Sequence, residues 1–449
     1  VYKACLKVIA DITGGTLHGS GDLVCEGIAT DSRESCEGSL FAALTGPQFD
    51  GHTYIEAAKQ QGAVAALVER MVDDACPQVV VPSVSEALLV LSSYWRSQYA
   101  PMTFSVTGSC GKTTVRQLLE SICSLAGTTH ASTKSFNNHL GVPRTLLALS
   151  QDHQYYVQEI GANHAGEIQP LVQAVRPNIA IITNAAAAHL EGFGSLEGVA
   201  SAKGELLSGL ADDGVAILNQ DDPFCSYWAS LLSGQEYLTF SVSQAADVMA
   251  KDIVLTASGC AQFRLCCSLG EVNVVLQLVG MHNVANALAA AAAACAAGLP
   301  LSVIAQGLQG ACGEEGRLQS RLGLNGSLVI DDSYNANPLS VSSALQTLSH
   351  YSGQRIFIFG DMLELGDVTQ SAHETVGELA LSLGIDQVLC YGPFAKLTAQ
   401  VCGSRGQWFS SQDELVAGVL PHLNRSSVVL VKGSYSMGMR FIVKALLSS

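Results

Sequence analysis

The run Met102-Thr-Phe-Ser-Val-Thr-Gly-Ser-Cys-Gly-Lys-Thr-Thr-Val115 decides how this chain is read. Met102 to Val106 have strand character, two glycines then break the segment, and Lys112 opens a helical stretch. A glycine-rich turn between strand and helix lets backbone N–H groups face a phosphate, and the helix N-terminus adds positive potential. Lys112 is placed to reach terminal phosphates, and the Thr113 hydroxyl to meet Mg²⁺. Gly108, Ser109, Cys110, Gly111, Lys112, Thr113 and Thr114 are therefore candidate nucleotide contacts. The spacing departs from the usual GxxxxGK[ST], because Val106 stands where the first glycine would be. A plain helix start with an exposed lysine is the bland alternative; the strand before and the helix after favour a phosphate site.

Downstream, Tyr155 to Ile160, Ile179 to Thr183 and Val215 to Leu218 read as strands ending in polar residues or glycine, with helices between them. That rhythm predicts a mostly parallel sheet. The Ala-rich segment from Asn283 to Ala297 is helical by propensity, and Gly298 and Pro300 stop it. Upstream, short apolar runs alternate with Gly, Asp and Ser turns, with one helical stretch near Tyr54 to Gly62, and a helix over Ala87 to Trp95 leads into the central unit. After Arg317 the rhythm restarts, with strands at Leu328 to Asp331, Arg355 to Phe359, Gln387 to Tyr391 and Val428 to Val431. Helices are expected between them at Ser340 to Leu348, His373 to Leu383 and Leu415 to Leu423. This last unit is Rossmann-like but lacks a GxGxxG fingerprint. The expectation is an α/β chain of three domains: a small α/β domain at 1–82, a central P-loop-type, mostly parallel sheet at 83–315 and a Rossmann-like domain at 316–449. A length of 449 residues agrees.

Composition narrows the function classes. Apolar residues form 48% of the chain and are spread throughout, which excludes long disorder. A formal charge of −16 disfavours any broad grip on nucleic acid or an anionic membrane, so anionic ligands must be held locally. The longest apolar run, Ala287 to Leu299, is too short to span a bilayer, and Lys3, Lys7 and Asp11 interrupt the early apolar stretch. A cytoplasmic monomer without membrane insertion is expected. The 14 cysteines are scattered, with no CxxC and no zinc-type cluster, and read as reduced thiols packed as small hydrophobes. Cys266 and Cys267, adjacent in a strand pattern, should point to opposite faces.

Two strand-end residues suggest a metal. Glu159 closes one strand and His189 follows the next after an Ala-rich turn; together they could hold a divalent ion against phosphate oxygens. Alone, a strand-end glutamate is usually solvated and a lone histidine usually structural. Lys203 reads by chemistry as a surface lysine.

In chain order, Gly108-Ser-Cys-Gly-Lys-Thr113, Glu159-Ile-Gly-Ala-Asn-His164, Ala185-Ala-Ala-Ala-His-Leu-Glu-Gly-Phe-Gly194, Gly280-Met-His-Asn-Val-Ala-Asn-Ala287, Gly316-Arg-Leu318 and Asp331-Asp-Ser-Tyr-Asn-Ala-Asn-Pro338 resemble the motifs of the Mur ligase family. The resemblance runs the whole length. Its finer match is to the member that adds D-alanyl-D-alanine to UDP-N-acetylmuramoyl-tripeptide, and it rests on Glu159 to Ile168, His189 to Leu207 and Tyr334 to Pro338. The DNPR-type motif usual in the tripeptide-forming sibling is absent.

The resemblance implies ATP and Mg²⁺, an N-terminal domain for the UDP end of the precursor, and a C-terminal domain that closes over ATP. It implies that Lys112 holds the β- and γ-phosphates and that Thr113, Glu159 and His189 ligate Mg²⁺; Lys203 matches a lysine that is carbamoylated in several members, where it helps organise a second Mg²⁺. Asn283 and Asn286, three apart and so on one helix face, would reach the nucleotide, with Asn283 at the adenine; helix capping is the plain alternative for Asn283. Arg317 would contact ATP phosphate and Asp332 the ribose. For the precursor, the resemblance implies Thr30, Asp31, Ser32 and Arg33 at the uridine, a second loop with Phe49, Asp50 and His52, and Asn137, Asn138, Tyr334, Asn335 and Asn337 facing substrate. The implied chemistry is amide formation through an acyl phosphate. A folylpolyglutamate synthetase, the tripeptide-forming sibling and a non-catalytic nucleotide switch are the rivals. Cys110, inside the phosphate loop, is a candidate target for thiol reagents.

Overall fold

The computed structural model describes residues 2–46, 49–73, 76–133, 136–256 and 258–447. Its architecture is α/β throughout, with three main sheets. The first has five strands in the order Thr16–His18, Gln78–Val80, Ala65–Val68, Leu40–Ala42, Ile28–Ala29. Its core joins Leu6 and Ile9 of the first helix to Leu40, Leu67 and Val79. The helix Val84–Arg96 starts at Ser83, whose hydroxyl accepts the Glu86 N–H at 3.3 Å. It ends on buried Arg96, which donates to Val175 O and to Thr103 Oγ1, both at 3.0 Å, and so ties to the central sheet a helix whose Val84, Leu88 and Leu91 pack on the first sheet's core.

The central sheet has nine strands: Thr129–Ala131, Tyr155–Glu159, Met102–Thr107, Ile179–Ile182, Val215–Asn219, Glu236–Ser241, Val248–Leu255, Cys260–Cys267 and Gly270–Val279. The strand entering the glycine-rich loop lies between Tyr155–Glu159 and Ile179–Ile182, parallel to both. That register sets Val106 beside Glu159, so the carboxylate stands next to the loop's root. A site at the carboxyl ends of parallel strands follows from this topology.

The expected strand–helix rhythm fails between 236 and 279. Four consecutive strands run there without an intervening helix, and the last three pair antiparallel. The cause is a period-two pattern: Val274, Leu276 and Leu278 are buried while Asn273, Val275 and Gln277 are exposed. The Ala-rich helix spans His282–Ala296, and Ala287 to Ala294 are buried against the helices Lys112–Ala126 and Leu301–Gly310. Among the described residues no helix is long and apolar enough to cross a membrane.

The third sheet orders six strands as Gln319–Leu322, Leu328–Asp332, Ser427–Lys432, Gln354–Gly360, Gln387–Tyr391 and Gly406–Phe409, all parallel except the first. The helix expected over Leu415 to Leu423 is shorter, Gln412–Val419, and tightens into a 3₁₀ turn at Leu420–His422. Pro421 lacks the N–H that a continuing α-helix needs.

Candidate active site

A cleft of 610 Å³ opens where the carboxyl ends of the central strands face the third sheet. Its floor is the glycine-rich loop. Gly108 has φ +147° and a Cβ there would sit 1.9 Å from Thr183 Oγ1; Gly111 has φ +84° and a Cβ would sit 2.2 Å from Asn286 Oδ1. Both positions require glycine, for backbone angle and for close approach. The loop is pinned from the neighbouring strand: Cys110 N–H donates to Asn184 Oδ1 at 2.9 Å, and Thr183 Oγ1 donates to Cys110 O at 2.6 Å. Lys112 Nζ donates to Gly108 O at 2.7 Å, and burial lowers its pKa.

Beside this floor, Glu159 is only 2% exposed. Its two carboxylate oxygens accept from Thr113 Oγ1 at 2.8 Å and from Asn137 Nδ2 at 2.7 Å. Lys203 is also 2% exposed, which removes the surface reading of this lysine. Its ammonium lies 5.1 Å from the Phe193 ring centre. Burial, then the charge of Lys112, brings its pKa down to about 7. A neutral amine is the form able to add CO₂. His189 caps the short helix Leu190–Phe193 in a left-handed conformation, φ +53°. Among the described residues no three His, Cys, Asp or Glu side chains gather as a metal cluster. The donors that could hold a divalent ion here are mixed: the Glu159 carboxylate, the Thr113 hydroxyl and His189, together with phosphate oxygens.

The opposite wall comes from the third sheet. Arg317 stacks over the Tyr334 ring at 4.2 Å, and Asn335, Ala336 and Asn337 continue the wall. Asp332 is gripped by Lys432, whose Nζ lies 2.5 Å from its Oδ2 and also donates to Asn335 O at 2.9 Å. Burial raises the Asp332 pKa and the Lys432 charge opposes that. Asn283 and Asn286 reach the cleft from the Ala-rich helix, joined by Asn286 Nδ2 donating to Asn283 Oδ1 at 2.9 Å. Asn283 lies within the helix and donates to Val279 O at 2.8 Å, so it is not the capping residue.

Three family descriptions match the chain: Mur ligase family, catalytic domain, over residues 25–96; Mur ligase middle domain over 106–294; and Mur ligase, glutamate ligase domain, over 316–435. The chain is 40% identical to the UDP-N-acetylmuramoyl-tripeptide--D-alanyl-D-alanine ligase of Escherichia coli, covering 99% of both chains. It is 31% identical to the enzyme of the same name from Bacillus subtilis, over 100% of this chain and 99% of that one. This chain belongs to the Mur ligase family. A crystal structure of MurF from Acinetobacter baumannii superposes with a TM-score of 0.94 at 34% identity, covering 99% of this chain and 98% of the other.

With the chain placed among the Mur ligases, the N-terminal motifs can be located. Thr30, Asp31, Ser32 and Arg33, and Phe49, Asp50 and His52, do not line the cleft: the first four follow the strand Ile28–Ala29, Phe49–Asp50 pairs with Thr45–Gly46 in a separate two-stranded ribbon, and His52 lies in the 3₁₀ turn Gly51–Tyr54. Arg33 forks onto Asp31, with 2.9 Å and 2.7 Å contacts, and holds that carboxyl down to about 2. Phe49 is exposed. Asp50 accepts from His52 and Arg70, and buried His52 spends both ring nitrogens, on Asp50 and on the Glu69 N–H. His52 therefore shapes its loop through both ring nitrogens. Arg144 pairs with Glu34 at 3.3 Å, linking the first of these loops to the helix Gly141–Leu147, whose first turn Asn138 Oδ1 holds through Gly141 N–H at 2.9 Å.

Sequence reasoning did not find Lys432 or Glu364. Lys432 ends a strand next to Asp332, a pairing visible only once the strands Leu328–Asp332 and Ser427–Lys432 are aligned. Glu364, from the third unit, lies against His189 of the central one. Nor did it find that Cys267, facing away from buried Cys266, brings its sulfur to 3.7 Å from that of Cys295.

Proposed function

We propose that this Mur ligase joins D-alanyl-D-alanine to UDP-N-acetylmuramoyl-tripeptide in the cytoplasm, converting ATP to ADP and phosphate as peptidoglycan precursor is built. In this reading the peptide carboxylate of the precursor attacks the γ-phosphorus, ADP leaves, and an acyl phosphate forms. The amine of the dipeptide then adds to the acyl carbon, phosphate leaves, and the amine proton is lost. The relatives' names supply the substrates. The observation that carries the chemistry is the convergence of the phosphate loop, the Glu159–Thr113 pair and the Arg317–Tyr334 wall on one cleft.

Residues 1–82, 83–315 and 316–449 act as three domains, the first holding the UDP end. Lys112 and the loop N–H groups position the phosphates, while Arg317 brings a cation from the third unit, so the cleft is complete only when the units are together. Glu159, Thr113 and His189 would hold Mg²⁺, which when bound would neutralise phosphate charge. Asn283 and Asn286 set the nucleotide against the Ala-rich helix. Asn137, Asn138, Tyr334, Asn335 and Asn337 face the reacting end of the precursor, and the loops of Thr30–Arg33 and of Phe49, Asp50 and His52 its nucleotide. Asp332 serves the ribose through the orientation that Lys432 gives it.

The deciding experiment is phosphate release from ATP with purified UDP-N-acetylmuramoyl-tripeptide, with and without D-alanyl-D-alanine, and the mass of the nucleotide product. Release that requires both substrates, with a product heavier by the dipeptide less water, is the expected result. Release indifferent to the dipeptide would leave a nucleotide switch, and a requirement for a single amino acid would leave a sibling ligase.

A further inference from the structure

Glu364 approaches the cleft from the third unit, on the segment that follows the strand Gln354–Gly360. Its neighbours Met362 and Leu365 are buried in the third unit's core. The segment is fixed further by Met362 N–H donating to His373 Nε2 at 3.0 Å and Leu363 N–H donating to Ser434 Oγ at 2.9 Å. Held in this way, the Glu364 carboxylate accepts from His189 Nδ1. Both residues have left-handed backbone angles, φ +62° for Glu364 and +53° for His189, which non-glycine residues adopt at a cost. Two strained residues from different units thus meet at one hydrogen bond.

A histidine that ligates a metal commonly gives its other ring N–H to a carboxylate, which fixes the tautomer and the ring plane. With Nδ1–H committed to Glu364, Nε2 is the ring nitrogen left for a ligand. We propose that Glu364 is a positioning residue for the metal site, orienting His189 only while the third unit is seated on the central one. Metal binding and the seating of the C-terminal unit are then one linked equilibrium: each strengthens the other by the same factor. The inference rests on the reading of His189 as a metal ligand.

The test uses the full chain with ADP and Mn²⁺ as the probe, the bound ion being followed by electron paramagnetic resonance. Glu364→Ala is expected to weaken Mn²⁺ binding by about 10- to 100-fold, with the affinity for ADP in chelator unchanged. Glu364→Gln keeps an acceptor oxygen and should recover part of the loss. In a His189→Ala background, removing Glu364 should cost nothing more. Equal Mn²⁺ affinity in Glu364→Ala and wild type, with His189→Ala impaired, would overturn the positioning role and leave the metal reading standing. If His189→Ala itself binds Mn²⁺ like wild type, the metal reading falls and this inference with it. A drop in thermal midpoint with unchanged Mn²⁺ affinity would assign Glu364 to structure alone and overturn it as well.

Discussion

The Asn337 amide nitrogen lies 3.3 Å from the Cys110 sulfur, so a side chain of the phosphate loop touches the cap of the helix Pro338–Ser349 in the third unit. Asn337 Oδ1 accepts the Ser340 N–H at 2.9 Å and also lies 3.4 Å from the same sulfur, so the thiol meets both ends of the amide.

An adduct on Cys110 should therefore hold the two units apart. Treatment with N-ethylmaleimide is expected to lower ATP turnover by roughly tenfold or more, with ATP protecting and Cys110→Ser resisting. Peptide mass mapping separates this thiol from the exposed Cys312. Full activity after complete labelling of Cys110 would refute the contact's importance.

Thr113 offers one hydroxyl to the Glu159 carboxylate across 2.8 Å. Replacing it with valine preserves shape and removes the polar atom. The expected result is a fall in kcat on the order of 100-fold, with a smaller change in thermal midpoint; a kcat near wild type would separate this pair from catalysis.

Lys203 makes a stability prediction with a definite sign. Its pKa falls from 10.5 to about 7 on folding, so between those values the unfolded chain binds more protons than the folded one. Stability should accordingly rise with pH across that window, and below pH about 7 the full cost of burying the cation remains, on the order of a few kcal/mol. Lys203→Met removes a buried cation and is expected to raise the thermal midpoint at neutral pH, flatten its pH dependence and abolish ligation. A mutant with lower midpoint and an unchanged pH slope would contradict this.

Lys432 and Asp332 are both buried, and the lysine is the carboxylate's main counter-charge. Lys432→Met takes from Asp332 its main counter-charge and should destabilise the third unit by about 3 kcal/mol. The double variant Lys432→Met with Asp332→Asn should recover much of that loss. Urea unfolding of the single and double variants measures both.

Much of this molecule is legible in local sequence because local forces set it. The strand–glycine–helix run around Lys112 predicts its helix start, observed at Lys112–Ala126, since turn chemistry and helix propensity act over a few residues. The Ala-rich helix is equally local. The antiparallel strands between Val248 and Val279 are written in a period-two pattern, yet an α/β rhythm on both sides hides them, because short apolar runs carry no mark of their partner.

The amino-acid sequence by itself determined the strands that flank the glycine-rich loop, the loop itself and the motif order that places the chain among the Mur ligases, all of which are properties of neighbouring residues. Only the tertiary structure decided that Lys203 is buried, that His52 spends its ring on its own loop, that Lys432 grips Asp332 from 100 positions away, and that Glu364 meets His189. Burial and long-range charge pairing depend on which elements the packed sheets bring together. Desolvation, the force that brings the Lys203 pKa down, exists only once that packing has excluded water.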